Sequence, residues 1–346
     1  MPEHAEKRSR CMTVVYNCDD AYCCHTAVSI ASLLAHNAEE KEIRIYVLGN
    51  GIRPESLKKL QKTADAFGAG RSVRLIPLSD FAAHVQQAAG IAVDAGKFTI
   101  TALARIFAAE LLPKEEHRAL YLDCDTLILR SLRPLYELEL SGRLAAMAME
   151  PSIYPQVRAY LGLPKDAPYF NAGMMLMDLD RWRREDTAAA CMAAYREAGG
   201  SFPFSDQDCL NKALMGRVRA VSQRWNFLSN YVYQRYTALA AHAPWFAAYE
   251  TRAGWRSAKK YPAVVHFAGD ERPWIVGNFN PYRRLYAVYL EKTPYCGTPR
   301  LSGKRLYMLA YHGMNLMTAV LPGMRWRLSQ YYYRKQIERQ TQKKGT

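Results

Sequence analysis

Short apolar runs alternate with amphipathic stretches along most of the chain. Residues 12–16 read as a strand that runs into Asn17-Cys18-Asp19-Asp20, and a helix is predicted from about 21 to 35. A second strand covers 43–48. A helix over 54–67 has Pro54 in its first turn, and a third strand covers 73–76. Residues 77–97 are loop-like, with room for one short helix. The pattern then predicts a helix over 99–112 carrying Arg105 among apolar neighbours. It continues with a buried strand at 120–122 and another at 144–149. Asn171-Ala172-Gly173 reads as a polar turn before a strand, 179–198 as a helix, and 209–214 as a helix opened by Ser205-Asp206-Gln207-Asp208. Residues 263–267 form a last short strand. Such strand–helix alternation predicts a doubly wound α/β domain, in which ligands bind beyond the carboxyl ends of the strands.

Two carboxylates, Asp123 and Asp125, follow the 120–122 strand at that rim. If the strand continues through them, alternation points both side chains the same way. Like charges held side by side are costly, because repulsion and desolvation add. A divalent cation offsets both terms and would hold phosphate oxygens as well. The alternative is a strand entering an Asp-rich turn. Asp19-Asp20 lies on the same rim, where Asp20 could equally cap the helix that follows. Ser205 or Asp206 is expected to cap the helix after it. His266, at the end of the last strand, reads either as a ligand or as a satisfied strand-end histidine.

Composition leaves this picture unchanged: 346 residues, 49% hydrophobic and 23% charged, make one large domain plus an appendage. Charge adds more. The net charge is +15, and residues 286–346 hold eleven Lys/Arg against Glu291 and Glu338, so that +9 of it sits there. The expected organisation is an N-terminal extension over 1–11, a main α/β domain over 12–285 and a basic, aromatic segment over 286–346. Residues 306–324 lack charge, but His312, Gly313, Asn315, Pro322 and Gly323 make them too polar and too broken to span a membrane. Arg325-Trp326-Arg327 and Tyr331-Tyr332-Tyr333-Arg334-Lys335 fit a segment lying on an anionic membrane surface. No nucleic-acid-reading motif accompanies the basic patch. Eight cysteines without C-x-x-C spacing imply a reducing cytosol rather than a disulfide framework. The charged N-terminus does not read as a signal peptide.

The order of the motifs is more specific than any one of them. Asp19-Asp20, Arg105, Asp123-x-Asp125, Phe170-Asn171-Ala172-Gly173, Asp206-Gln207-Asp208 and His266 within an HFAG…RPW run follow one another over 12–274. This array resembles glycosyltransferase family 8, and within it the bacterial lipopolysaccharide galactosyl- and glucosyltransferases. The resemblance implies a GT-A fold, with a Rossmann-like mixed central sheet flanked by helices, to which the basic C-terminal helical tail is added. It implies a UDP-glucose or UDP-galactose donor, Mn²⁺ (Mg²⁺ as the alternative) and retention of anomeric configuration. Asp123, Asp125 and His266 would ligate the metal. Two carboxylates and an imidazole suit Mn²⁺ and leave positions for diphosphate oxygens.

By the same resemblance, Asn17, Cys18, Asp19 and Tyr22 would meet the uridine. Arg105, Cys124, Asn171, Ala172 and Asp206 would join Asp123 in binding the donor. Gly269 and Arg272 would close over the diphosphate, and Gln207 would lie beneath the anomeric carbon, with Asp206 and Asn171 beside it as catalytic residues. Arg272 stands where the family commonly has Lys, and Ala21 where it commonly has a polar residue. A double displacement wants a carboxylate nucleophile, and the uncharged amide of Gln207 is a poor one. Front-face substitution is therefore expected. The acceptor is expected to be a glycan or lipid-linked saccharide in cell-surface polysaccharide synthesis. It would be met by 77–97 and 231–260, with the enzyme at the inner face of the cell membrane. Two rival readings start from the same residues. One is a haloacid-dehalogenase-like phosphatase with Asp123 as nucleophile and Asp125 as acid/base, although it lacks a convincing late acidic pair. The other is a non-catalytic sugar-nucleotide-binding protein.

Overall fold

The structure is a computed structural model that describes residues 11–96, 99–328 and 330–331. Most of the expected N-terminal extension, Lys97, and the basic end of the tail from Tyr332 lie outside the described residues. Among the described residues ten strands form: β1 (Cys11–Asp19), β2 (Glu42–Asn50), β3 (Arg71–Pro77), β4 (Arg118–Leu122), β5 (Thr126–Ile128), β6 (Ala145–Met149), β7 (Phe170–Asp178), β8 (Val218–Val221), β9 (Phe227–Leu228) and β10 (Val264–His266). Seven make the central sheet, in the order β3-β2-β1-β4-β7-β6-β8, and β5-β10-β9 make a small second sheet. In the large sheet only β7 runs against its neighbours. The mixed α/β architecture with a mostly parallel sheet is the one expected.

The central strands are apolar on both faces because helices cover both. Val15, Tyr121, Met147 and Met175 enter one core, with Trp182, Tyr195 and Phe202. Val14, Leu120, Ala146 and Leu176 enter the other, with Ala27, Ile30 and Leu33 of helix Cys23–Ala35. All eight cysteines are free.

Several elements differ from the pattern, each for a local reason. The 99–112 stretch is a 3-10 segment, Ile100–Arg105, followed by a short helix, Ala108–Leu111. Asn17 Nδ2 donates to Thr101 O at 2.7 Å and so takes the carbonyl that an α-helix would offer to the Arg105 N–H. The 179–198 stretch is two helices, Leu179–Arg184 and Thr187–Glu197, parted at Asp186, whose φ is +48°. Asn171-Ala172-Gly173 lies inside β7 rather than in a turn, since backbone pairing runs from Phe170 onward. Asp19, not Asp20, caps the first helical turn by accepting the Tyr22 N–H, and Asp20 pairs with Arg53. Helix Ser205–Ala213 begins earlier than expected. Neither Ser205 nor Asp206 caps it; Asp208 accepts the Phe204 N–H instead. Residues 77–97 hold helix Phe81–Ala89. The 231–260 stretch is largely short helices.

The C-terminal segment packs on the domain. Helix Arg305–Val320 buries Met308, Asn315 and Thr318, and Trp326 stacks on His242 with ring centroids 3.9 Å apart. No helix among the described residues is long and apolar enough to cross a membrane.

Candidate active site

β4 ends at Leu122, and the chain resumes as β5 in the other sheet. Asp123 and Asp125 therefore sit in the turn between sheets, not on a continuing strand. Their convergence comes from pairing on either side. The Asp123 N–H donates to Gly173 O at 2.8 Å, and the Phe267 N–H donates to Asp125 O at 2.9 Å. In the small sheet His266 lies opposite Thr126 and beside Leu228 of β9. His266 Nε2 is thereby 3.2 Å from Asp125 Oδ1 and 3.6 Å from Asp123 Oδ2. One ligand atom from each of the three residues lies within 4.8 Å of the other two.

Without a cation, the three residues neutralise one another in part. Burial works against charge on His266, but Asp125 and then Asp123 outweigh it and raise the imidazole above its ordinary value. Burial also opposes charge on Asp125, yet His266 and then Arg272 hold its carboxyl low. Two oxygens and an imidazole nitrogen at this spacing fit a divalent first-row ion, whose binding would take the proton's place.

The rest of the site grows from Asp123. Its Oδ1 accepts from Tyr121 Oη at 2.9 Å and pairs with Arg105 Nη2 at 3.0 Å. Arg105 is buried, with its guanidinium over the Tyr121 ring. It pairs through Nε with Asp206 Oδ2 at 2.9 Å and donates through Nη1 to Ala172 O at 2.8 Å. Burial pushes Asp206 up to about 6, with Arg105 opposing. Ser205, at φ +47°, turns the chain so that Asp206 and Gln207 enter the pocket.

Gln207 is locked on both sides of its amide. Oε1 accepts from Asn171 Nδ2 at 3.0 Å and from the Ala172 N–H at 3.2 Å. Nε2 donates to Glu150 and to Tyr169 Oη, each at 3.0 Å. Glu150, Tyr169 and Asn226 are site residues that the sequence reading missed, and Asp208 stood in its Asp206-Gln207-Asp208 motif without a role. Glu150 had a weak signal, an acid just beyond apolar β6 on the rim. Tyr169 and Asn226 are visible only through long-range contacts. Burial raises Glu150 and pushes Asp208, which accepts from Tyr169 Oη at 2.6 Å, up to about 7.

On the β1 side, Asn17 is tied to Thr101, Cys18 is buried, and Asp19 is spent on its cap. Cys124 sits part-buried between the two aspartates. The Arg272 guanidinium reaches over Tyr22 and Trp274, 5.9 and 6.0 Å from the ring centroids. Its Nε is buried with no hydrogen-bond partner among the described residues. Gly269 turns the same loop at φ +68°.

A family model, glycosyl transferase family 8, matches residues 13–276. The chain belongs to that family. Family 8 membership agrees with the resemblance read from the motifs and sets the phosphatase reading aside. General stress protein A of Bacillus subtilis (strain 168) is 27% identical over 301 residues, covering 86% of this chain and 99% of that protein. Lipopolysaccharide 1,2-glucosyltransferase of Escherichia coli (strain K12) is 22% identical over 344 residues, covering 94% and 93%. A solved structure, galactosyltransferase LgtC in complex with donor and acceptor sugar analogs, matches with a TM-score of 0.66 at 24% identity, covering 82% of this chain and 96% of that one. At that identity the likeness shows the fold, which is GT-A. These relatives fit the bacterial lipopolysaccharide-transferase branch of family 8.

Gly173 is the position that lets the triad close. A Cβ there would fall 2.5 Å from His266 Nδ1 and closer still to Cε1. Gly173→Ala is expected to fold with a stability loss of about 1–3 kcal/mol and, if Asp123, Asp125 and His266 hold a divalent ion such as Mn²⁺, to weaken that binding at least about tenfold by displacing the imidazole. Thermal melts and Mn²⁺ titration check both. Unchanged metal affinity would count against the packing argument.

Proposed function

We propose that this family 8 enzyme moves glucose or galactose from a UDP-sugar to a hydroxyl of a glycan or lipid-linked acceptor, with retention of configuration. It would do so with Mn²⁺ (Mg²⁺ as the alternative) held by Asp123, Asp125 and His266. The observation that carries this reading is the convergence of these side chains from two sheets onto one point at the strand rim. When bound, the ion supplies charge neutralisation to the diphosphate as the sugar departs.

The chain's own residues supply the rest. Arg272, with its unpartnered Nε, offers a fork to phosphate oxygens, and Gly269 lets the loop turn toward them. Asn17, Cys18, Asp19 and Tyr22 would line the uridine, with Cys124 behind the diphosphate. Arg105, Asn171, Ala172 and Asp206 would hold the sugar. Asp206 and Asn171 flank the anomeric carbon, and Gln207 lies beneath it. The Gln207 amide oxygen already accepts two N–H groups, so it is poorly placed to attack. That supports front-face substitution, in which the leaving phosphate takes the acceptor's proton.

A role in cell-surface or lipopolysaccharide synthesis at the inner face of the cell membrane rests on the relatives and on helix Arg305–Val320. Leu306, Leu309, Leu316 and Val320 are 61–85% exposed and recur at 3, 7 and 4 residues, which makes one apolar stripe. Lys304, Arg305, Arg325 and Arg327 flank it. Such a face suits an anionic lipid surface.

UDP release from UDP-glucose and UDP-galactose, with and without Mn²⁺, tests the activity. Asp125→Ala is expected to fall to background, whereas Gln207→Ala retains activity, losing about 10²-fold. Equal and complete loss in two folded variants would overturn the front-face reading. In vesicle flotation with anionic lipid, the double change Leu309→Glu, Leu316→Glu is expected to cut binding at least about tenfold while leaving UDP release unchanged. Undiminished binding would remove the membrane role from this helix.

A further inference from the structure

The proposed metal and sugar halves of the site are joined by one residue that neither half includes. Asn226 lies just before β9 and is 1% exposed. Its Nδ2 donates to Asn171 Oδ1 at 2.7 Å, and its Oδ1 lies 3.1 Å from His266 Nδ1.

The direction of every bond in this chain is forced from one end. The backbone N–H of Gly173 can only donate, and it donates to Asn171 Oδ1 at 2.9 Å. Asn171 Oδ1 is therefore an acceptor, so the group that Asn226 presents to it must be the NH₂. Asn226 then has only its carbonyl left for His266, and Nδ1 must carry the hydrogen. At the far end Asn171 Nδ2 donates to Glu150 at 2.8 Å and to Gln207, which fixes the same orientation independently. With Nδ1 protonated, Nε2 is the nitrogen that faces Asp123 and Asp125. A metal-binding imidazole needs this arrangement: one nitrogen free for the ion and the other held by an outer partner.

We propose that Asn226 is a positioning residue with two separable tasks. Its carbonyl sets the tautomer and ring orientation of His266 for the metal, and its NH₂ holds Asn171 in register for the donor sugar. The inference rests on the metal and donor reading given above.

The test measures Mn²⁺ affinity by the free-ion electron paramagnetic resonance signal in the presence of UDP. In parallel it measures the affinity of UDP-glucose or UDP-galactose relative to UDP. Wild type and His266→Ala calibrate the site. Wild type failing to bind Mn²⁺, or His266→Ala binding it equally, would overturn the metal reading and this inference with it. Given a working site, Asn226→Leu is expected to weaken Mn²⁺ by about 10- to 100-fold. Asn226→Asp keeps an acceptor for Nδ1–H but loses the donor to Asn171. It is expected to hold Mn²⁺ within a few-fold of wild type while losing most of the preference for UDP-sugar over UDP. That split would not arise from a general loss of packing, and it stands even if Asn226→Leu does not fold. Wild-type Mn²⁺ affinity in folded Asn226→Leu, or an unchanged UDP-sugar preference in Asn226→Asp, would overturn the proposal.

Discussion

Asp123 is the joint on which the site turns, because its two oxygens serve different partners. Oδ1 takes the Tyr121 hydroxyl and the Arg105 guanidinium, while Oδ2 faces His266. Arg105 in turn holds Asp206, so carboxylates from two distant parts of the chain share one buried cation. Burying such charges is tolerable only when they are paired and hydrogen-bonded, and here the desolvation cost is offset on the Arg105 side. On the other side, Asp125 and the second oxygen of Asp123 face the His266 imidazole, with Arg272 acting on Asp125 only through its charge. A divalent cation held by Asp123, Asp125 and His266 would offset that imbalance.

Much of this was legible in the sequence, though not always for the right reason. The aspartate pair was found from its place after an apolar strand, yet strand alternation does not bring the two side chains together. A turn between sheets does, and it owes its shape to pairing with β7 and β10, which lie roughly fifty and a hundred and forty residues later in the chain. Asn171 stood out as polar between apolar runs and so resembled a turn. It is tolerated inside a strand because Glu150, Gln207, Gly173 and Asn226 satisfy its whole amide. Glu150, Gln207 and Asn226 are distant in sequence, and nothing local shows that they meet Asn171. Hydrophobic periodicity reports which faces are buried, not which polar groups meet, so Tyr169 and Asn226, and the role of Asp208, emerge only in three dimensions. The broken helix at 100–111 has the same origin: a distant asparagine claims one of its carbonyls.

The C-terminal helix is tied to the loop that carries Gly269 and Arg272. Glu271, next to Arg272, is fully buried and bonded to Asn280 and to Asn315 of that helix. Tyr307 reaches Asp270 at 2.7 Å. The exposed apolar stripe lies on the opposite side of the helix from these contacts. A surface that engaged the stripe would therefore press on an element tied to the loop that carries Arg272.

The most direct measurement is a crystal structure with Mn²⁺ and a non-transferable UDP-sugar, with anomalous scattering recorded at the manganese edge. The account predicts a single peak bonded to Asp123, Asp125 and His266 and to oxygens of the diphosphate, with Arg272 on the same phosphates. A donor bound at the rim with no peak among these three side chains, or a peak that does not touch the diphosphate, would contradict it.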